Sequence, residues 1–306
     1  MVKQLRLLSM EKRRVSCWSP STTFIERISM GYKVAAIVPG KAKRFPIHES
    51  FDFSLRLFAE GGKHHVDPPK WDGTDKTLIC RGVSQKIDRV IAYCKEYNID
   101  YIHIDTGYFG NVKRKIIHRV SRNAMQASGP ILKRKLDRAT AQGYEFCKFT
   151  PGEKILICPP SRKIMRMFGQ PPPEEWVESI IEEIKKYTDR PIEVRLKPSR
   201  RDRTNSKSIT AALDDNVHCL VTYNSIAATE ALMHGKPAIV LGPHNAAEVI
   251  AERNIANIEN PFIPSEKQMN NYVAHLSYCQ FTVSEMKDGT AWKIMNPIIS
   301  SKPLSS

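Results

Sequence analysis

The sequence has few of the features that mark secreted, metal-binding or membrane proteins. Its seven cysteines are scattered, with no CxxC pair and no cysteine–histidine cluster at metal-ligand spacing. No apolar run approaches the roughly 18 residues that span a bilayer, and no apolar signal-peptide core follows the charged start MVKQLRLLSMEKRR. GxGxxG and Walker A motifs are also missing, which argues against NAD and P-loop chemistry. We therefore expect a cytoplasmic protein with reduced cysteines, no metal and no integral membrane segment.

The positive charge is confined to one half of the chain. The whole sequence of 306 residues carries a net charge of +15. Residues 1–150 hold 28 Lys and Arg against 14 Asp and Glu, whereas residues 151–306 hold 19 against 18. A one-sided positive field attracts nucleic acid or an anionic membrane face. The alternative, a general solubility surface, would spread the charge more evenly.

The first half predicts a parallel sheet preceded by a basic stretch of 30 residues that forms either an irregular arm or an added element. Strands are expected in KVAAIVPG (residues 33–40), TLICRG (77–82) and YIHIDTGYFG (101–110), with an amphipathic helix over residues 84–98. Strand, helix and strand in this order favour a doubly wound sheet. A turn cluster at residues 150–152 marks the expected domain boundary.

The second half repeats this organisation more clearly. Strands are predicted in KILICPPS, PIEVRLKP, HCLVTY and PAIVLG, and helices in PEEWVESIIEEIKKYT, SIAATEALMHG and NAAEVIAERN. Two further helices are expected in the tail, separated by a polar break at residues 280–284. The predicted fold is α/β, with two Rossmann-like domains whose parallel sheets face a central cleft.

Polar and small residues follow the predicted strand HCLV. Thr222, Asn224 and Ser225 lie where this strand meets a helix, a position at which a phosphate can approach backbone N–H groups. The next strand ends near Gly242 and His244, which would border the same cleft. From the residues alone, an ordinary β-α-β unit with a serine helix cap is an equally good interpretation.

The run VTYNSIAATEALMHGKPAIVLG resembles the donor-site segment of GT-B glycosyltransferases, especially the capsular-polysaccharide type and related phage enzymes. The similarity covers about residues 153–260. It implies a nucleotide-sugar donor, expected to be a UDP-sugar, with no further cofactor. The residues implied to face the donor are Ser161, Arg195, Lys197, Ser225 and Glu230, the last accepting hydrogen bonds from ribose hydroxyls. The family often has His where this chain has Lys197 before Pro198, and Arg195 and Lys197 share one side of a strand, where two cations would neutralise a departing diphosphate.

In the first half, IDTGYFGN ends a strand with Asp105 at its tip. Together with HRVSRNAMQ, this segment resembles phage-encoded proteins of the same type. The resemblance implies that Asp105 is the general base and that Arg119, Arg122 and Asn123 contact the acceptor or its phosphate. For Asp105 the alternative is a structural role in a turn at the end of the strand. For Arg119, Arg122 and Asn123 the alternative is a solvated basic helix face.

The charge and the resemblance together predict the acceptor, a 5-hydroxymethylpyrimidine base in double-stranded phage DNA. Further acceptor contacts are expected from Lys41, Lys43, Arg44, Tyr108 and Phe109. Residues 1–150 would then bind the acceptor, 151–285 the donor, and 286–306 would form a helix packing back on the first domain of a monomer. Two alternatives stay open. One is a capsule or lipopolysaccharide sugar transferase, with residues 113–120 as a membrane-docking helix, and the other is a non-catalytic nucleic-acid-binding relic of the fold.

Overall fold

The computed structural model describes most of the chain from Tyr101 to Thr282 and shorter stretches outside it. The described residues are 22–29, 32–39, 77–83, 91–92, 95, 101–110, 117–196, 208–282, 284–285, 290–291 and 294–295. Among them, no helix is long and apolar enough to cross a membrane. No group of three His, Cys, Asp or Glu residues in these ranges could hold a metal ion.

The described strands form a six-stranded and a four-stranded sheet. The strands are β1 (Thr22–Ser29), β2 (Tyr32–Pro39), β3 (Thr77–Arg81), β4 (Tyr101–Thr106), β5 (Ile117–Arg122), β6 (Lys154–Ile157), β7 (Ile192–Val194), β8 (Val217–Thr222), β9 (Ala238–Val240) and β10 (Gln280–Thr282). The α-helices are α1 (Asp137–Ala141), α2 (Arg162–Met167), α3 (Pro173–Ile184), α4 (Ile209–Leu213), α5 (Ala227–Met233) and α6 (Glu266–Ser277). The first sheet has the order β1-β2-β3-β4-β5-β10 and the second the order β7-β6-β8-β9.

The second sheet is parallel throughout, as its sequence predicted. Its central strand β6 is apolar at successive positions, and Ile155, Leu156 and Ile157 are all fully buried. Burial on both faces is the usual reason for such a continuous apolar run, because helices cover both sides of a parallel sheet. The α/β class and the parallel sheet of the second half are therefore confirmed.

Each face of the second sheet has its own core. Leu156 and Leu220 pack on one face with α5 and α6, while Ile155 and Val221 pack on the other with Trp176 of α3. The first of these cores also contains three residues of the first half, namely Tyr108, Ala139 and Tyr144. The two halves therefore share apolar packing in this region. The arrangement of two domains around a central cleft, with the predicted bounds, stays a prediction.

The first sheet is mixed, which corrects the prediction of a parallel one. Only β2, β3 and β4 are parallel neighbours, whereas β1, β5 and β10 run antiparallel to theirs. The connections explain the difference. Two residues join β1 to β2 and ten join β4 to β5, whereas a parallel crossover needs a dozen or more. Of the two alternatives for the first 30 residues, strand β1 agrees with an added element and not with an irregular arm. The prediction of a docking helix over residues 113–120 is wrong from Ile117 onward, where β5 begins.

One predicted helix and one predicted break of the second half have other structures. NAAEVIAERN forms only a 3-10 turn, Ala246–Val249, since the chain then runs beside β9. There the N–H of Val240 donates to the Glu252 carbonyl and the N–H of Glu252 donates to the Ala238 carbonyl, both at 2.9 Å. The break expected near residue 280 is strand β10, which pairs with β5 of the first sheet. Residues 290–291 and 294–295 are helical, and the packing of 286–306 on the first domain stays a prediction.

Helix α6 binds the loop that follows β5 through a buried histidine. Ser265 and Gln268 form a capping box at the start of α6. Near its end, the N–H of Leu132 donates to Nδ1 of His275 at 3.3 Å, so the ring proton must lie on Nε2. Burial, and then the positive charge of Arg134, lowers the pKa of His275 to about 4. Protonation of Nδ1 would break the bond to Leu132.

We predict that His275→Asn makes stability less dependent on pH. The folded-state pKa of His275 lies below the unfolded value, so the unfolded chain binds more protons as the pH falls from about 6.5 toward 4. The wild type should therefore lose about 2 kcal/mol through this group between pH 7 and pH 5. Asparagine keeps an acceptor for Leu132 and does not titrate. Urea unfolding at both pH values measures the difference, and equal losses in the two proteins would contradict the prediction.

Candidate functional site

The carboxyl ends of the four parallel strands of the second sheet lie along the same edge. The chain passes from β6 to β7 on one side and then returns to β8 on the other, so β6 and β8 are neighbours whose connections diverge. Ligands of open parallel sheets bind at such a switch point. Ser161 follows β6, Arg195 follows β7 and Ser225 follows β8. The edge therefore collects residues that the sequence assigned to the donor.

Arg195 and Glu230 both approach the end of β6. The N–H of Arg195 donates to the Ile157 carbonyl at 2.9 Å, which places Arg195 beside the last residue of this strand. Burial raises the pKa of the Cys158 thiol to about 12, while the charge of Arg195 lowers it and that of Glu230 raises it. The Arg195 cation and the carboxylates of Glu230 and Glu193 therefore act on the same strand end, and Arg195 and Glu230 are half-buried.

The hydroxyl of Thr222 links the carboxyl ends of β6 and β8. It donates to the Cys158 carbonyl at 2.6 Å and accepts the N–H of Ser225 at 3.1 Å. Thr222 is fully buried. The hydroxyl is therefore used within the protein and shapes the turn from β8 into α5, and the role of Thr222 in donor binding stays a prediction.

Asn224 and Gly242 are likewise internal to the site. The amide of Asn224 donates to the Pro243 carbonyl, and its side chain is buried. The N–H of Gly242 donates to the Tyr223 carbonyl at 2.7 Å, and a Cβ on Gly242 would lie 2.6 Å from the Tyr223 ring. Both residues join the loops after β8 and β9. Both were assigned to the donor site, and that assignment stays a prediction.

Ser161, Ser225 and His244 stay partly exposed at this edge. The Ser161 hydroxyl precedes α2 without capping it, and the Ser225 hydroxyl accepts the N–H of Ala227 at 3.3 Å. His244 has a left-handed backbone, with φ of 58°, and its ring lies 6.1 Å from that of Phe168. Burial, and then Lys95, lowers the pKa of His244, which favours a neutral ring. Lys197 lies outside the described residues.

Asp105 is the penultimate residue of β4 and is held through both oxygens. Oδ1 accepts the N–H of Thr106 at 2.7 Å, and Oδ2 pairs with Nη2 of Arg119 at 3.0 Å. The side chain of Asp105 is still 28% exposed. An ordered and partly accessible carboxylate is compatible with either interpretation of this residue, a general base or the end of a strand.

Most of the described residues assigned to the acceptor belong to the interior or to turns. Arg119 is only 8% exposed, and its three guanidinium nitrogens bond Met125, Thr106 and Asp105. Tyr108 is 2% exposed, and its hydroxyl accepts the N–H of Ala127. Both side chains are thus engaged within the protein, and their contact with an acceptor stays a prediction.

Three further acceptor candidates lie nearer the surface. Asn123 is exposed, has a φ of 53° and exchanges two hydrogen bonds with Tyr101, which makes it a turn residue. Phe109 packs against the shared core, and Arg122 is half-buried at the end of β5. Lys41, Lys43 and Arg44 lie outside the described residues.

Two glutamines were not recognised in the sequence. Gln126 of the first half bonds Asn224 and Ala246 in the loops after β8 and β9, and Gln280 of β10 bonds Tyr108, Phe109 and Gln142 beside the first sheet. Neither belongs to a motif, and their partners are distant in sequence. No signal in the chain could have identified them.

No protein-family model and no curated protein matches the sequence. Among solved structures, KpsC of Thermosulfurimonas dismutans, described as a beta Kdo 2,4 transferase, superposes with a TM-score of 0.41 at 13% identity. The superposition covers 73% of this chain and 85% of that chain. A likeness at this level establishes neither fold nor activity, so function has to be inferred from the residues of the site.

We predict that Thr222→Val destabilises the protein by about 1–3 kcal/mol, because the Ser225 N–H and the Cys158 carbonyl lose their buried partner. Thr222→Ser keeps the hydroxyl and should cost clearly less, although it removes a buried methyl group. Urea unfolding of the three proteins measures both effects. A valine variant as stable as the serine variant would show that this hydroxyl does not hold the two strands together.

Proposed function

We propose that the chain is a glycosyltransferase that moves a sugar from a nucleotide-sugar to a hydroxyl group of a polyanionic acceptor. The observation that carries the proposal is the gathering of Ser161, Arg195, Ser225 and Glu230 at the switch point between β6 and β8. A cation and two hydroxyls can bind the phosphates of a sugar nucleotide, and a carboxylate can accept from its ribose hydroxyls. UDP is the donor nucleotide expected from the resemblance of the sequence.

The proposed donor contacts follow from the chemistry of each group. The guanidinium of Arg195 would stabilise the negative charge of the departing diphosphate. The hydroxyls of Ser161 and Ser225 would donate to phosphate oxygens, and the carboxylate of Glu230 would accept from ribose hydroxyls. All four residues are partly accessible, whereas Thr222 and Asn224 behind them are buried.

Asp105 is the proposed general base. Its carboxylate takes the proton of the acceptor hydroxyl while that oxygen attacks C1 of the sugar, and the bond from C1 to the diphosphate breaks. The diphosphate leaves with the bonding electron pair and its charge is met by Arg195. Arg119 and the Thr106 N–H would hold Asp105 in one orientation during this step.

The proposed acceptor is DNA that carries 5-hydroxymethylpyrimidines. The support is the charge of the first half, which holds 28 basic against 14 acidic residues. Lys133 and Lys135 are exposed in an irregular segment, while the guanidinium of Arg134 between them lies 5.3 Å from the Tyr278 ring centre. This alternation presents both lysines to the solvent, where they would contact phosphates. An anionic glycan would meet the same charges and is the alternative acceptor.

We predict that substitutions at Arg195 and Asp105 separate binding from chemistry. UDP should raise the melting temperature of the wild type, because it binds only the folded state. Arg195→Gln should weaken UDP binding at least tenfold, about 1.4 kcal/mol, through loss of a charged contact. Asp105→Asn should keep the UDP affinity and lower sugar transfer by about 100-fold or more. Calorimetry and transfer of labelled sugar to hydroxymethylated DNA measure these effects.

Lys185→Gln provides the control, since Lys185 is exposed at the end of α3 in the nearly neutral half. It should change neither UDP binding nor transfer. If the wild type binds no nucleotide, the proposed donor site is wrong. Binding without transfer to DNA or to an anionic glycan would instead favour the non-catalytic alternative.

We predict that Lys133→Glu with Lys135→Glu weakens DNA binding and its salt dependence. Loss of two phosphate contacts should reduce the slope of log affinity against log salt by about 1.8. Lys185→Glu with Lys186→Glu makes the same charge change on an exposed site of the second half and should have a smaller effect. Fluorescence anisotropy with a labelled duplex at several salt concentrations gives both slopes. Equal slopes for the two double variants would mean that the basic segment does not contact DNA.

A further inference from the structure

A single buried side chain, Gln126, joins the loop after β5 to the loops after β8 and β9. Its Nε2 donates to the carbonyl and to Oδ1 of Asn224, at 3.1 and 3.0 Å. Its Oε1 accepts the N–H of Ala246 at 3.2 Å. Gln126 is only 3% exposed. One amide of the first half therefore holds two strand-end loops of the second.

The two loops that Gln126 contacts are themselves connected. Asn224 donates to the Pro243 carbonyl, and Nδ2 of Asn245 donates to the Ser225 carbonyl at 2.9 Å. Since Gln126 donates to Oδ1 of Asn224, it determines which way that amide points and keeps Nδ2 facing Pro243. Gln126 therefore helps to set the positions of Ser225 and of the loop that carries His244.

The chemistry at position 126 requires an amide. The site offers two acceptors on Asn224 and one donor on Ala246, and a primary amide has an NH₂ group and a carbonyl to match them. A carboxylate could still accept from Ala246 but would face the two oxygens of Asn224 without a proton. An apolar side chain would leave all three groups unpaired.

The same loop also reaches the proposed general base. Nε of Arg119 donates to the carbonyl of Met125, the residue before Gln126, at 3.2 Å, and Nη2 of Arg119 pairs with Asp105. A continuous series of contacts therefore runs from Asp105 through Arg119 and residues 125–126 to Asn224. Each step is a hydrogen bond between buried or half-buried groups.

We propose that Gln126 is a positioning residue that couples the first half of the chain to the nucleotide site. Its effect on nucleotide binding rests on the function proposed above, whereas its effect on the order of the two loops does not. Gln126 touches neither donor nor acceptor and acts through Asn224 and Ala246.

Gln126→Leu is compared with Gln280→Leu as a matched control. Gln280 of β10 is also buried and also makes several side-chain bonds, but its partners Tyr108, Phe109 and Gln142 lie beside the first sheet and not in the loops after β8 and β9. Both variants should be less stable than the wild type. Only Gln126→Leu should raise the Kd for UDP, by at least tenfold, and speed hydrogen exchange in residues 222–226 and 241–247.

Gln126→Glu adds a readout that a merely structural role would not move. At neutral pH the introduced carboxylate repels the oxygens of Asn224, and UDP binding should be as weak as in Gln126→Leu. Protonation at lower pH restores one donor, so the UDP affinity of this variant should recover toward that of the wild type at the same pH. Gln126→Leu should show no such recovery.

The outcomes separate the two proposals. If the wild type binds UDP and Gln126→Leu binds it as well as Gln280→Leu does, the positioning role is overturned. If the wild type binds no UDP, the proposed function fails, and hydrogen exchange of the unliganded proteins decides the role of Gln126. Faster exchange in the two loops of Gln126→Leu alone supports it, and equal exchange in both leucine variants overturns it.

Discussion

The burial of the second sheet on both faces decides where this protein can place polar chemistry. Ile155, Leu156 and Ile157 leave no room for a polar side chain along β6, since an unpaired polar group there would cost several kcal/mol. Polar residues therefore gather beyond the carboxyl ends of the strands. The strand order then selects one gap among them, between β6 and β8, and the Thr222 hydroxyl fixes the width of that gap by bonding Cys158.

The second half could be predicted from sequence because its signals are local. Apolar runs bounded by proline, glycine or polar residues identify β6, β8 and β9, and the apolar positions of α3 have helical spacing. Whether a strand runs parallel or antiparallel to its neighbour does not depend on its own residues alone. The composition of β5 would suit either direction, and the ten residues between β4 and β5 decide it. The first sheet also does not begin after residue 30, because β1 pairs with β2 across a two-residue connection.

The strand ends that carry the candidate site could be predicted from sequence, but which of their residues are buried and which stay accessible could not. Thr222, Asn224 and Ser225 look alike as polar residues after a strand, and only Ser225 stays accessible. Arg119 and Tyr108 have polar side chains, which led to the prediction that they lie on the surface and contact the acceptor. Tertiary partners bury them, since the carbonyls of Thr106 and Met125 satisfy the guanidinium of Arg119 and the Ala127 N–H meets the hydroxyl of Tyr108. Gln126 had no signal at all, because Asn224 lies 98 residues and Ala246 lies 120 residues further along the chain.

The charge of the chain and the contacts of the site act over different distances. The excess of positive charge in residues 1–150 acts over about 10 Å at ordinary ionic strength and weakens as salt is added. The bonds from Arg119 to Met125 and from Gln126 to Asn224 are short, buried and little screened. If the first half attracts a polyanion, salt should therefore control how often the acceptor arrives. The relative placement of Asp105 and the strand-end loops depends on the buried contacts and should change little with salt.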